Sequence, residues 1–259
     1  MRSSSAQALF GSGRPVVIPF LTAGFPSRRT FLEAAQIAHA AGAAALEIGM
    51  PFSDPLADGP AIQHSSQGAL AAGMTLEGVF DLAATVRARL PIPLFLMGYL
   101  NPVLRLGMER FARMAKAAGV AGTIIPDCPV EEAAAWVRCS RRQDLENIFL
   151  IAPTSSEERI RRIDRRSTSF SYCVSVAGVT GARRAVTRST RDYLARVRRV
   201  AQKPYVVGFG IARPEHIRAL RGLADGFVVG SALVPLLEER NSGLVKAGRL
   251  IRGLVRAAE

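Results

Sequence analysis

The sequence predicts an α/β chain folded as a closed parallel (β/α)8 barrel, and three observations carry that expectation. Short apolar runs alternate with helical patterns from Val16 to the carboxyl end, which calls for parallel strands joined by right-handed crossovers. The length of 259 residues matches the roughly 250 that one such barrel uses. No glycine-rich fingerprint follows the first run, where Gly24 stands alone, and this argues against an open dinucleotide-binding sheet. With no linker or composition break, residues 1–259 read as one TIM-barrel domain, with extra helices at the amino terminus and after the second strand.

The elements follow in order. A short lead, Ser5 to Phe10, precedes a first strand, Val16 to Leu21. Ser27 to Ala41 carries apolar residues at helical spacing and stops at Gly42, a residue suited to closing a helix. The second strand is Ala44 to Gly49, followed by two helical patterns, Ala61 to Ala72 and Thr75 to Leu90, of which one is an insertion. Strand three is Pro93 to Tyr99 with a helix from Gly107 to Ala118, and strand four is Gly122 to Pro126 with a helix from Val130 to Arg141. Strand five is Ile148 to Ala152, leading to a helix capped near Ser156. Strand six, Ser169 to Ser175, leads to a helix from Thr190 to Ala201; strand seven, Tyr205 to Gly208, to one from Pro214 to Gly222; strand eight, Gly226 to Val229, to helices from Ser231 onward.

Composition narrows the function. Hydrophobic residues make up 49% of the chain, enough for a sizeable core, yet no apolar run reaches the length of about eighteen residues that spans a membrane. The amino-terminal stretch has no apolar core ahead of a cleavage site, so a cytoplasmic location is expected. Cys128, Cys139 and Cys173 are widely spaced, which suits a reducing compartment and offers no metal-ligand spacing. The net charge of +13 would suit nucleic acid, but the arginines scatter over outer helices with no aromatic residues interleaved for base stacking.

The candidate chemistry gathers at the expected carboxyl ends of the strands, where a barrel binds substrate. Glu47 lies inside an apolar run and Asp58 in a loop punctuated by Pro51, Pro55, Gly59 and Pro60. Two carboxyl groups in differently polar surroundings can hold an acid and a base at one pH. Glycine turns at Gly178–Gly181, Gly208–Gly210 and Gly230–Ser231 suit a phosphate, since glycine lets backbone amides approach an anion and a helix starting at Ser231 would add its own. Tyr99, Asp127 and Tyr172 also fall at strand ends. His39, His64 and His216 sit in helices and explain themselves as ordinary helix positions, so no metal site is expected. Lys116, Lys203 and Lys246 lie in or near helices, which disfavours a Schiff base. The residues alone thus describe a barrel acting on a small phosphorylated molecule with acid–base carboxylates.

The run LEIGMPFSDPLADGPAIQ, from Leu46 to Gln63, resembles the signature of the tryptophan synthase alpha chain family. IPFLTAGFP, MGYLNPV, IIPDCPVEE, SVAGVTGAR, VGFGI and VVGSALV follow in the family's order and extend the resemblance over nearly the whole chain. That resemblance implies retro-aldol cleavage of indole-3-glycerol phosphate to indole and glyceraldehyde 3-phosphate, late in tryptophan biosynthesis. It implies no cofactor in this chain and an α2β2 partner, the tryptophan synthase beta chain, which carries pyridoxal phosphate. Read residue by residue, it implies Glu47 as the acid/base, Asp58 as the holder of the indole N–H, and Tyr172 completing the pocket. Phe20, Leu96 and Tyr99 would line the indole pocket, with Thr180, Gly181, Phe209, Gly210, Gly230 and Ser231 around the remaining substrate. The loop Phe52 to Pro60, together with Pro51 and Asp54, and the loop Gly178 to Val186 would close over substrate and meet the beta chain. Thr180 would reach toward Asp58 on closure. The departure is at Val176-Ala177 and the arginines after Gly181, where the implied partner contact is least secured.

Three other readings stay open: beside the resemblance, a lyase releasing indole without a beta chain or a non-catalytic subunit that activates a beta partner, and on the residues alone a sugar-phosphate isomerase or epimerase. Intact Glu47 and Asp58 argue against the second, and the proline-bounded acidic loop against the third.

Overall fold

A computed structural model of the chain describes residues 8–174, 186–208 and 210–259. Nine strand segments form one sheet in the order β5-β4-β3-β2-β1-β9-β8-β7-β6. They are β1 (Val16–Thr22), β2 (Leu46–Gly49), β3 (Leu94–Met97), β4 (Gly122–Ile124), β5 (Glu146–Ile148), β6 (Leu150–Ile151), β7 (Ser171–Val174), β8 (Tyr205–Gly208) and β9 (Gly226–Val229), and every pairing is parallel. The two ends of that order, β5 and β6, are separated in the chain by Phe149 alone, with β5 paired to β4 and β6 to β7. The sheet therefore closes on itself. The nine segments are the eight predicted strands with the fifth broken at Phe149, whose N–H turns to the Ser167 hydroxyl (3.2 Å) while its carbonyl accepts from Tyr172 N–H (3.0 Å).

Side chains alternate across each strand, and this sorts the apolar residues into two cores. Ile18, Phe20, Ala45, Phe95, Ile124, Ile148, Phe170, Tyr172, Val206 and Val228 fill the inside of the barrel. Leu46, Ile48, Leu94, Leu96, Ile151, Cys173, Val207 and Val229 face the helices. The register places Phe20 beside Glu47 and Glu47 beside Phe95, so Glu47 belongs to the inner layer among aromatic rings. Below it, Phe10 of a 3-10 turn (Ala8–Phe10) meets Phe170 edge to face at 5.5 Å and covers the lower end of the barrel.

The helices are α1 (Arg28–Ala40), α2 (Pro60–Ala71), α3 (Leu76–Arg89), α4 (Leu100–Leu106), α5 (Met108–Ala117), α6 (Ala134–Arg142), α7 (Glu157–Arg166), α8 (Arg188–Val200), α9 (Pro214–Ala219), α10 (Val234–Glu238) and α11 (Gly243–Ala258). Side-chain caps start four of them: Ser27, Thr75, Ser156 and Thr187 each accept an N–H three residues on, satisfying amides that have no partner within the helix.

Three differences from the sequence expectation follow from local chemistry. The helix α4 replaces what reads as a loop, because Pro102 sits in its first turn, where no N–H is needed. The helix after β4 begins at Ala134 and not at Val130, since the Pro129 carbonyl takes the Glu132 and Ala133 N–H groups in a turn. The helix after β9 begins at Val234 and not at Ser231: Leu233 N–H closes a turn on the Gly230 carbonyl (2.8 Å), and Pro235 fits the first turn of the five-residue α10. Among the described residues no single helix is long and apolar enough to cross a membrane.

Candidate active site

A cavity of about 840 Å³ opens over the carboxyl ends of the strands. Phe20, Glu47, Asp58, Tyr172, Gly210, Gly230 and Ser231 line it together, joining residues from β1, β2, β7 and the loops after β2, β8 and β9.

The two acids differ in their surroundings. Glu47 is 2% exposed, and its Oε1 has no hydrogen-bond partner among the described residues. Burial, and then the charge of Asp58, pushes its carboxyl up to about 8, because a charged group loses its hydration there and meets a like charge. Asp58 is partly buried; burial raises it to about 6, while the Tyr99 hydroxyl turned toward it favours the ionised form. At neutral pH the pair therefore offers a protonated Glu47 and an ionised Asp58. Tyr172 is buried beside them, and burial followed by the charges of Glu47 and Asp58 holds its phenol protonated. Its ring needs Gly208: a Cβ there would stand 2.2 Å from the Tyr172 hydroxyl.

Two residues expected in the indole pocket lie elsewhere. Leu96 is fully buried against the helices on the outer face of β3, and its neighbours Phe95 and Met97 point inward, with Met97 on the cavity wall. A strand buried on both faces carries no alternation to mark its inner side. Tyr99 is buried beneath the acidic loop and outside the cavity lining. Its hydroxyl accepts the Ala57 N–H at 2.9 Å and its ring stacks on Phe52 at 5.1 Å.

The loop itself runs from Pro51 to Gly59 with Leu56 at its exposed tip, 89% accessible. Asp54 is exposed; its carboxylate accepts from the Ser53 hydroxyl, its carbonyl from Leu56 N–H. Neither Asp54 nor Pro51 lines the cavity.

Of the expected phosphate turns, Gly208, Gly210, Gly230 and Ser231 line the cavity. Gly210 has φ of +55°, a left-handed conformation that favours glycine. The free amides of a helix start are not available at Ser231, since α10 begins three residues later and is short. Thr180, Gly181 and Phe209 lie outside the described residues, as does the loop 178–185.

Sequence reasoning missed several neighbours. His216 is no ordinary surface position: it is buried, with Nδ1 3.1 Å from the Gly210 carbonyl, and braces that glycine turn. Its placement at the start of a helix gave no signal, because the contact is made across a loop. Cys128 and Arg159 also line the cavity, Arg159 paired to Glu131 at 2.6 Å. Burial and the Asp127 charge push the Cys128 thiol up, which keeps it in the unreactive thiol form. Among the described residues no group of three or more His, Cys, Asp or Glu side chains is arranged to hold a metal ion.

Comparison with known proteins identifies the barrel. The model of the family described as tryptophan synthase alpha chain matches residues 7–253. The chain belongs to the tryptophan synthase alpha chain family. Among relatives of that name, the Geobacter sulfurreducens protein is 47% identical over 227 residues, covering 88% of this chain and 86% of its own. The Chloroflexus aggregans protein is 46% identical over 257 residues, covering 97% and 95%. The tryptophan synthase structure from Mycobacterium tuberculosis superposes with a TM-score of 0.90 at 33% identity over 98% of both chains. That of the tryptophan synthase complex from Pyrococcus furiosus gives 0.87 at 34% identity, over 94% of this chain and 98% of that one. The stretch carrying the alpha-chain resemblance, Leu46 to Gln63, is β2, the acidic loop and the first turn of α2, which together form one wall of the cavity.

Proposed function

We infer that this chain is a carbon–carbon lyase, the tryptophan synthase alpha subunit, cleaving indole-3-glycerol phosphate to indole and glyceraldehyde 3-phosphate in the closing steps of tryptophan biosynthesis. Its partner is a tryptophan synthase beta chain in an α2β2 assembly, and indole passes to that chain. The observation that carries the reading is the pair of acids lining one cavity, Glu47 enclosed and Asp58 only partly buried, within a member of this family.

Each group then has a role its chemistry suits. Protonated Glu47 gives its proton to the indole ring carbon that bears the side chain, and the ring nitrogen takes up positive charge. Ionised Asp58 accepts the N–H and offsets that charge, a stabilisation made larger by the buried setting. The carboxylate left on Glu47 removes the proton of the side-chain hydroxyl. The carbon–carbon bond then breaks, its electron pair returns to the ring, and the aldehyde leaves. Glu47 ends protonated, so the step needs no co-reactant. Tyr172 completes the polar end of the pocket near Glu47, Phe20 packs against the indole, and Gly210, Gly230 and Ser231 bind the phosphate end with Thr180, Gly181 and Phe209. Pro51 and Asp54 meet the beta chain.

Residues 1–259 act as one domain, and the enzyme works in the cytoplasm, a reading supported by the free thiols at Cys128, Cys139 and Cys173. Indole release from indole-3-glycerol phosphate, measured with and without a beta chain, tests the whole: no release in either state contradicts it, and unstimulated fast release contradicts the partnership.

A further inference from the structure

Two separate parts of the acidic loop converge on one side chain that the cavity does not touch. Phe52, at the loop's start, stacks on the Tyr99 ring at 5.1 Å with 25° between planes. Ala57, near its end, donates its N–H to the Tyr99 hydroxyl at 2.9 Å. That N–H fills one lone pair of the phenol oxygen, so the phenol hydrogen is free to point to a second acceptor. Next in the chain to Ala57 is Asp58, whose carboxyl the nearby Tyr99 hydroxyl biases toward its ionised form. Tyr99 is itself rooted. It precedes the first residue of α4, and the N–H of that residue, Leu100, is held at 2.8 Å by the Asp127 carboxylate from the turn after β4.

We propose that Tyr99 is the positioning residue for Asp58, a clamp by which the segments after β3 and β4 fix the place of the acid on the loop after β2. A loop bounded by prolines still has freedom at Ser53 to Ala57, where Ser53, Asp54, Leu56 and Ala57 are exposed. The phenol ties down the one end of that stretch that must meet substrate, by holding the amide of the residue next to Asp58. Loss of the hydroxyl would leave Asp58 buried without its stabilising donor, so its proton affinity would rise. The acidic groups facing Tyr99 are Asp58 and Asp127, both of which raise the phenol's own proton affinity and keep it a donor. This proposal rests on the reading of Asp58 as the group that holds the indole N–H.

The variant Tyr99→Phe tests it, since the ring and its stacking on Phe52 stay while the oxygen goes. The assay is indole release by the complex with a beta chain across pH, beside Asp58→Asn and the double variant. A charged hydrogen bond of ordinary strength shifts a carboxyl by about one pH unit, so the acid limb of kcat should move up by that amount in Tyr99→Phe. The double variant should be no slower than Asp58→Asn alone. A 13C titration of the Asp58 carboxyl in the isolated Tyr99→Phe chain reads the same shift without turnover. An unmoved limb and an unmoved carbon titration, with Asp58→Asn strongly slowed, would overturn the role of Tyr99 and leave the reading of Asp58 standing. A fully active Asp58→Asn would overturn both.

Discussion

Asp58, in the loop after β2, raises the proton affinity of Glu47, on β2 itself. The two groups titrate as neighbours although Glu47 is enclosed and Asp58 lies nearer the cavity mouth. On the proposed roles, with Asp58 ionised and Glu47 protonated, kcat for indole release is expected to form a bell with limbs near pH 6 and pH 8. Asp58→Asn deletes the like charge, and the basic limb of its residual activity should move to lower pH. A pH–rate profile of both proteins checks this; a basic limb that stays in place in the variant separates the two acids.

Glu47 should also cost stability. Its carboxyl lies near 4.5 in an unfolded chain and about 8 when folded. Between those values the folded state keeps a proton that the unfolded state has released, so stability falls as pH rises through that window and levels off above it. Glu47→Gln removes the dependence and is expected to gain about 3–5 kcal/mol relative to the parent at pH 8, with little difference near pH 4. Urea unfolding at the two pH values measures it. Equal slopes in both proteins would contradict the burial of an acid at this position.

Leu96 and Met97 give a test of the strand's facing. Leu96→Ala should lose about 2–5 kcal/mol of stability, the range for emptying a packed apolar site, and leave KM unchanged. Met97→Ala removes cavity wall and should raise KM for indole-3-glycerol phosphate about tenfold. The reverse assignment of effects would put the inner face of β3 on Leu96.

The two positions also show where sequence reading ends. Tyr205–Gly208 and Gly226–Val229 come out of the sequence with the bounds they have in the fold, because each is a short apolar run set off by Pro204 and by glycines or Asp225. Leu94–Met97 is equally legible as a strand, yet it is buried on both sides, and nothing in four apolar residues tells which two face inward. Glu47 and Asp58 stood out because a carboxyl within an apolar run and one in a proline-bounded loop are chemically conspicuous. Tyr99 and His216 are ordinary by type. Their contacts, with Ala57 from a different strand's loop and with the Gly210 carbonyl across a turn, exist only once the barrel closes.

Gly208 gives way to the Tyr172 hydroxyl, and no side chain fits there. Gly208→Ala should displace the Tyr172 ring and lower kcat by about 10- to 100-fold, the scale of a misplaced group at a reacting centre, with the thermal transition showing that the barrel still folds. An unchanged kcat would remove Tyr172 from the pocket's working end.

The central claim is that Glu47 moves the protons of the cleavage. Indole release from indole-3-glycerol phosphate by the complex with a beta chain, comparing the parent with Glu47→Gln, addresses it most directly. Loss of an acid–base group is expected to lower kcat by about 10²- to 10⁴-fold while the variant still folds and still binds the beta chain. A Glu47→Gln complex that releases indole at the parent rate would contradict the assignment.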